Sequence, residues 1–326
     1  MDSLPSPVYG ALTLLAGFIF ICVGFMFTFL TLISPKTHPL TDEEKYYRDT
    51  ISDTPHPLPS LFDTPTVTLS VVVPAYNESQ RLPKMLEEAR DYLEALILLV
   101  DDGSRDQTTQ VALDYAREHN VPNLRVLTFS LNRGKGGAVT QGFLHARGRY
   151  ILFADADGAT SFPDLSKLMD GIQKVTRSEM GVAVGSRAHL KDPGVIVKRS
   201  IIRRFLMRAF HAFVYIFGIR EVEDTQCGFK LFTRRAAQAI FPNIHVERWI
   251  FDIEVLLLAT NFRIPVVEVP VTWHEVAGSK MHLMRDSIIM AADLLLLRLN
   301  YVFGVWKATP IDIMHDRRGS MLTKTN

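Results

Sequence analysis

Residues 66–104 read TVTLSVVVPAYNESQRLPKMLEEARDYLEALILLVDDGS. An apolar, β-branched run at 66–73 stops at Pro74-Ala75-Tyr76-Asn77-Glu78. A helical pattern fills 81–96, and a second apolar run at 97–100 stops at Asp101-Asp102-Gly103-Ser104. Short apolar runs bounded by turn residues mark buried strands, and a 3.6-residue apolar period marks a helix. The same unit continues downstream, with a helix predicted at 106–119, a strand at 124–129, a helix at 136–146 and a strand at 150–154. Strands alternating with helices of this length predict an α/β fold: a single-domain, twisted, mostly parallel sheet with flanking helices. Such sheets bind ligands beyond the carboxyl ends of their strands. Polar clusters sit at those ends here, the third and fourth being Asn132-Arg133-Gly134-Lys135-Gly136-Gly137 and Asp155-Ala156-Asp157-Gly158.

Asp155 and Asp157 flank a turn that lets two carboxylates meet one hard cation, Mg2+ or Mn2+, which takes carboxylate, water and phosphate oxygens. An isolated Asp-x-Asp is more often a solvated acidic turn; its place after an apolar strand, beside three other polar strand ends, reverses that weighting. Asp101 and Asp102 suit either a second metal site or acceptors for a nucleotide base and ribose, against the alternative of a turn making local backbone bonds. The glycine-rich stretch fails both familiar phosphate-loop spacings. Phe129 stands where a Walker loop needs glycine, and Val139 where a dinucleotide fingerprint needs one. What remains is a turn opening a helix, with Lys135 available to an anion.

Outward from this core, residues 195–217 form an apolar helical pattern with a basic side at Lys198, Arg199, Arg203, Arg204 and Arg208. That composition suits a helix at a membrane surface or against a lipid phosphate, and equally an ordinary amphipathic helix. Residues 287–303 are apolar but carry Asp293 and Arg298, so an interfacial or packed helix is expected rather than a second span. Asp224, Asp252 and His274 lie in polar stretches that would not stand out alone.

Toward the N-terminus, residues 8–34 form a run without charge, longer than the roughly 20 residues a bilayer core requires. Asp2 precedes it, and no small-residue cleavage site follows, so a transmembrane anchor is expected after a tail at 1–7. Residues 35–65 hold Pro39, Pro55, Pro57, Pro59 and Pro65 without steady apolar period and are predicted to be a Pro-rich tether, leaving 66–326 as the globular domain. Lys36, Lys45 and Arg48 interleave with Asp42, Glu43 and Glu44, so the flanks give no orientation. The 326-residue chain has 36 basic and 35 acidic residues, which gives no basic field calling for nucleic acid. Its 2 cysteines, Cys22 and Cys227, lie in unlike settings, so no disulfide is expected and the domain belongs in a reducing compartment.

The four ordered motifs at 71–78, 100–104, 132–138 and 155–157 resemble those of the inverting family 2 glycosyltransferases with the GT-A fold. The similarity runs from about residue 66 to at least 280 and extends to Asp224-Thr225-Gln226-Cys227-Gly228-Phe229-Lys230, to 249–254 and to 273–280. Together with the anchor, these segments resemble the branch that moves glucose from UDP-glucose to dolichyl phosphate. That resemblance implies dolichyl β-D-glucosyl phosphate and UDP as products, for protein N-glycosylation, with a single-pass signal-anchor in the endoplasmic reticulum membrane and a cytosolic catalytic domain. It implies that Pro74, Tyr76, Glu78, Asp102, Lys135 and Asp155 line the donor site. Asp155 and Asp157 become the metal pair, with Asp157 and Asp224 catalytic. Arg187, with Lys198, Arg199 and Arg203, becomes the acceptor-phosphate site. The residues alone do not choose glucose over mannose from GDP-mannose. A membrane polysaccharide synthase would share the donor site but normally has several spans, and a nucleotide-sugar sensor would not need the anchor and basic helix together.

Overall fold

The computed structural model describes residues 6–52, 54–90, 95–190, 222–276 and 283–311. The basic pattern at 195–217, with Lys198, Arg199 and Arg203, lies outside the described residues, as do the start of the N-terminal tail and residues 278–280.

A helix, α1 (Ser6–Ile33), opens the chain. Its stretch Tyr9–Ile33, 25 residues, is long and apolar enough to cross a bilayer. A small antiparallel pair follows, β1 (Tyr46–Tyr47) with β2 (His56–Pro57). Then come β3 (Val67–Ala75), α2 (Leu82–Arg90), β4 (Leu96–Asp101), α3 (Thr108–Glu118), β5 (Leu124–Thr128), α4 (Lys135–Leu144) and β6 (Gly148–Ala154). The second half contributes α5 (Leu165–Val175), β7 (Val182–Ser186), β8 (Phe229–Thr233), α6 (Arg234–Ile240), α7 (Phe251–Asn261), β9 (Val266–Pro270) and α8 (Leu283–Val302).

Strands β3 to β9 form one sheet of 7 in the order β5-β4-β3-β6-β8-β7-β9. All neighbours are parallel except β8, which runs antiparallel to β6 and β7. Because side chains alternate along a strand, β3 packs Val71 and Val73 into one core with Met85, Leu86 and Leu113, and Val72 into the other with Phe143 and Phe251. This double burial explains why β3 and β4 read as continuous apolar runs. Pro74 lies two residues past Val72, the last partner on the β6 side, and pairs only with Val100 of β4, where a missing N–H is tolerated.

Two topological facts place the site. Successive strands run from β3 one way to β4 and β5, then return to the other side with β6, so the order reverses between β3 and β6 and a crevice opens there. The reversed β8 pairs Phe229 with Ala154, which brings residues 224–228, before β8, to the edge where β6 ends.

The stretch predicted as a loose tether is instead packed on the domain. Arg48 bridges Val126 of β5 through two backbone hydrogen bonds of 2.9 and 2.8 Å. Leu61 is fully buried, and its N–H donates to the Leu144 carbonyl at 2.7 Å. Backbone hydrogen bonds and a few buried residues between the prolines, Tyr47 and Leu61 among them, hold it there.

Candidate active site

The polar strand ends meet at the carboxyl edge of the sheet. After β6, the Lys135 Nζ lies 2.6 Å from Asp155 Oδ1. Lys135 also sits over the Phe153 and Trp249 rings, 5.1 and 5.8 Å from their centroids, so its ammonium is held on an aromatic floor. Burial works against this charge, but Asp155 and Asp252 outweigh it and hold Lys135 above its ordinary pKa. Asp157 accepts the Ala159 N–H at 3.0 Å. Burial first, then the neighbouring Asp155 carboxylate, pushes the Asp157 acid above the usual range. A second cation acts on this pair, because Arg81, chelated by Glu78 at 2.7 and 2.5 Å, also feels Asp157 and Asp155.

Asp102 organises the glycine-rich loop. It accepts from Arg133 N at 2.7 Å, Gly134 N at 2.9 Å and Asn132 Nδ2 at 2.9 Å. Burial dominates these bonds and raises its pKa from 3.8 to about 6. Asp101 is buried beside Asp102. Its carboxylate accepts Ser104 N and Thr109 Oγ1 at 2.9 and 2.5 Å, the local turn bonding weighed as the alternative. Gly134 takes φ of 102°, and a β-carbon there would lie 2.6 Å from the Glu247 carbonyl oxygen, so the close approach of two loops requires glycine. Tyr76 is half-buried after β3, and Pro74 is buried within it.

Across the crevice, Asp224 is locked to Arg187. The Arg187 Nε and Nη2 donate to its two oxygens at 2.7 and 2.8 Å, and the Arg187 backbone N–H adds a third bond of 2.8 Å. Burial alone would raise the Asp224 acid, but Arg187 outweighs it and holds the carboxyl below the usual range. The Arg187 guanidinium lies 5.6 Å from the centre of the Trp273 ring. The resulting carboxylate is firmly ionised and weakly basic.

Several participants were not singled out from sequence. Lys230 is buried, paired with Asp252 at 2.6 Å and donating to the Cys227 carbonyl at 2.6 Å. A lysine inside the apolar strand Phe229-Lys230-Leu231-Phe232 was a signal for it, since a lone buried ammonium is prohibitively costly. Gly228 packs directly on Asp155. Cys227 is no nucleophile, since burial pushes its thiol up to about 12.

Among the described residues no group of three or more His, Cys, Asp or Glu side chains forms a complete metal cage. Asp155 and Asp157 offer oxygen ligands only, and the mutual repulsion of the two carboxylates is relieved by a cation. They fit a hard divalent ion whose remaining ligands come from water or phosphate.

A mostly parallel sheet with an acidic pair and a lysine at its switch point defines a GT-A-like α/β fold. Residues 70–241 match glycosyl transferase family 2, and the chain belongs to that family. It is 50% identical over 261 residues to the dolichyl-phosphate beta-glucosyltransferase of Saccharomyces cerevisiae, covering 75% of this chain and 78% of that protein. It is 45% identical over 278 residues to the Homo sapiens protein of the same name, covering 82% and 85%. Among solved structures it resembles the UDP complex of glucosyl-3-phosphoglycerate synthase from Mycobacterium tuberculosis, with a TM-score of 0.52 and 16% identity over 76% of this chain and 88% of that one. That similarity speaks for the fold alone.

Proposed function

We propose that the protein transfers glucose from UDP-glucose to dolichyl phosphate, yielding dolichyl β-D-glucosyl phosphate and UDP. Identity of 41–50% to several dolichyl-phosphate beta-glucosyltransferases supports the sugar and the acceptor. The observation that carries the chemistry is the Lys135 ammonium 2.6 Å from Asp155, beside Asp157, at the β3/β6 crevice. This couple suits a diphosphate and its counter-ion. Pro74, Tyr76, Glu78 and the loop set by Asp102 form the uridine end, and Asp155 and Asp157 hold Mg2+ or Mn2+. Held by these two carboxylates, such an ion would supply positive charge against the diphosphate leaving group. Arg187 and the basic segment with Lys198, Arg199 and Arg203 receive the acceptor phosphate.

A monoalkyl phosphate has a second pKa of about 6 and is largely dianionic at neutral pH. Its oxygen attacks the anomeric carbon, the bond from that carbon to the β-phosphate oxygen breaks, and the electron pair leaves with UDP. In-line attack inverts the centre. The nucleophile needs no strong base, which accords with Asp224 being held ionised by Arg187. The protein's task is alignment and charge balance. The apolar helix α1 anchors the chain in the endoplasmic reticulum membrane with the domain in the cytosol, where the product feeds N-glycan assembly. The test is purified full-length protein incubated with labelled UDP-glucose, GDP-mannose and UDP-N-acetylglucosamine, dolichyl phosphate and Mn2+ or Mg2+. Lipid-linked label from UDP-glucose is expected. Preferential use of GDP-mannose, or no lipid product from any donor, overturns the assignment.

A further inference from the structure

The loop that carries Lys135 is held from outside the sheet by the segment that leaves the apolar helix. The Ser34 Oγ donates to Asn300 Oδ1 at 2.6 Å, and Asn300 is fully buried, so the chain departs α1 from a fixed point on the domain. Four residues later it runs over the glycine-rich loop. Arg133 donates from Nη1 to the His38 carbonyl at 2.6 Å and from Nη2 to the Pro39 carbonyl at 3.1 Å, and it pairs with Glu44. Its guanidinium stacks 4.4 Å from the centre of the Phe129 ring. The Glu44 carboxylate also accepts Ser130 N and Oγ at 2.8 and 2.9 Å and Thr41 N at 2.9 Å. The two side chains of this ion pair are only 6% and 2% exposed. On the other flank, His38 N and Nδ1 lie 2.9 and 2.5 Å from the Glu247 carboxylate, and the Glu247 carbonyl accepts Gly137 N at 2.9 Å. The loop is thus gripped between residues 38–44 and the turn before α7.

A buried ion pair is a poor device for stability alone, because desolvation offsets much of its attraction. It does fix geometry. Arg133 joins two halves of the site: its side chain is held by Glu44, while its backbone N–H is held by Asp102. Two residues on, Lys135 reaches Asp155. We propose that residues 38–44 belong to the donor site, with Glu44 a positioning residue that acts through Arg133 on the loop presenting Lys135. The proposal rests on that loop binding the donor, as argued above.

Full-length wild type, E44Q and R133K are compared in detergent with UDP-glucose and dolichyl phosphate. A positioning role raises the KM for UDP-glucose about tenfold in both variants, with kcat and the KM for dolichyl phosphate within about twofold. A donor KM within about twofold of wild type, or a fall in kcat at unchanged donor KM, overturns it. Should the variants not fold, wild-type hydrogen exchange decides. Saturating UDP with Mn2+ slows the amides of Thr41 and Ser130 if the segment is part of the site, and leaves them unchanged if it is not. A folded wild type that makes no glucosylated lipid from UDP-glucose sinks the donor assignment itself, and this proposal with it.

Discussion

At Gly228 a β-carbon would lie 1.9 Å from Asp155 Oδ2 and 2.3 Å from its Cγ, so no side chain fits unless the carboxylate moves. Gly228→Ala is therefore expected to pull Asp155 from Lys135. It should cost about 100-fold in kcat/KM, with a matching loss of Mn2+ affinity in a variant that still melts cooperatively. Wild-type Mn2+ affinity in that variant would refute the connection. The same geometry orders three further substitutions. Asp155→Ala and Asp157→Ala each remove a carboxylate of the proposed cation pair and are expected to lose on the order of 1000-fold in kcat/KM. Asp224 is already ion-paired with Arg187 and poorly suited to accept a proton, so Asp224→Ala loses about tenfold. Steady-state rates on folded variants check the order. Equal loss in all three, with wild-type folding and metal binding, would show that Asp224 takes a proton from the acceptor after all.

At the scale of elements, the strand ends were legible because each apolar run stops at a polar cluster, and β3 to β6 lie close to their predicted positions. Strand direction is not written in any local pattern. The reversal of β8, which delivers residues 224–228 beside Asp155, depends on how the second half of the chain crosses over. The segment 36–65 misled because its prolines outweigh its anchors, Tyr47 and Leu61, and because the partners of Glu44 lie far away in sequence at Ser130 and Arg133. Asp102 drew notice as a ligand, while its bonds to the loop became visible only in three dimensions. Those bonds make the loop pH-sensitive. Its acid is raised from 3.8 to about 6, so its contribution to stability is full below about 4 and lost as pH rises through 6. Function runs the opposite way, because the ionised carboxylate accepts from the three N–H groups more strongly than the acid does. UDP-glucose affinity is expected to rise with an apparent pKa near 6, and Asp102→Asn should flatten that profile at the weaker end. UDP-glucose carries no group titrating there, so equilibrium binding of the intact sugar nucleotide without acceptor isolates the protein's share. An unchanged profile in Asp102→Asn would assign the titration elsewhere.

Over the whole molecule, the apolar helix is joined to the sheet domain at its C-terminal end rather than through a loose linker. Leu30 near the end of α1 is fully buried, and Asn300 of α8 receives Ser34, so the anchor meets the domain through the C-terminal helix. Farther out, α1 exposes Phe18, Phe20, Ile21 and Phe25, and α8 exposes Ile288 and Val302, apolar surface suited to lipid. Holding a soluble domain at the surface where its acceptor is dissolved raises the local acceptor concentration, and losing such a tether costs on the order of 100-fold or more. Removing residues 1–35 while keeping 36–44 separates that effect from the donor site, because Glu44 and its partners Arg133 and Ser130 all remain in the shortened chain. The shortened protein is expected to keep its KM for UDP-glucose within about threefold and to lose about 100-fold in rate on dolichyl phosphate in vesicles. In detergent, where enzyme and lipid phosphate share micelles by chance rather than by anchoring, the difference from the full chain should shrink. Equal rates of both proteins on vesicles would mean that the domain finds the bilayer unaided, through α8 or the basic segment at 195–217, and that α1 serves only to hold it there between encounters.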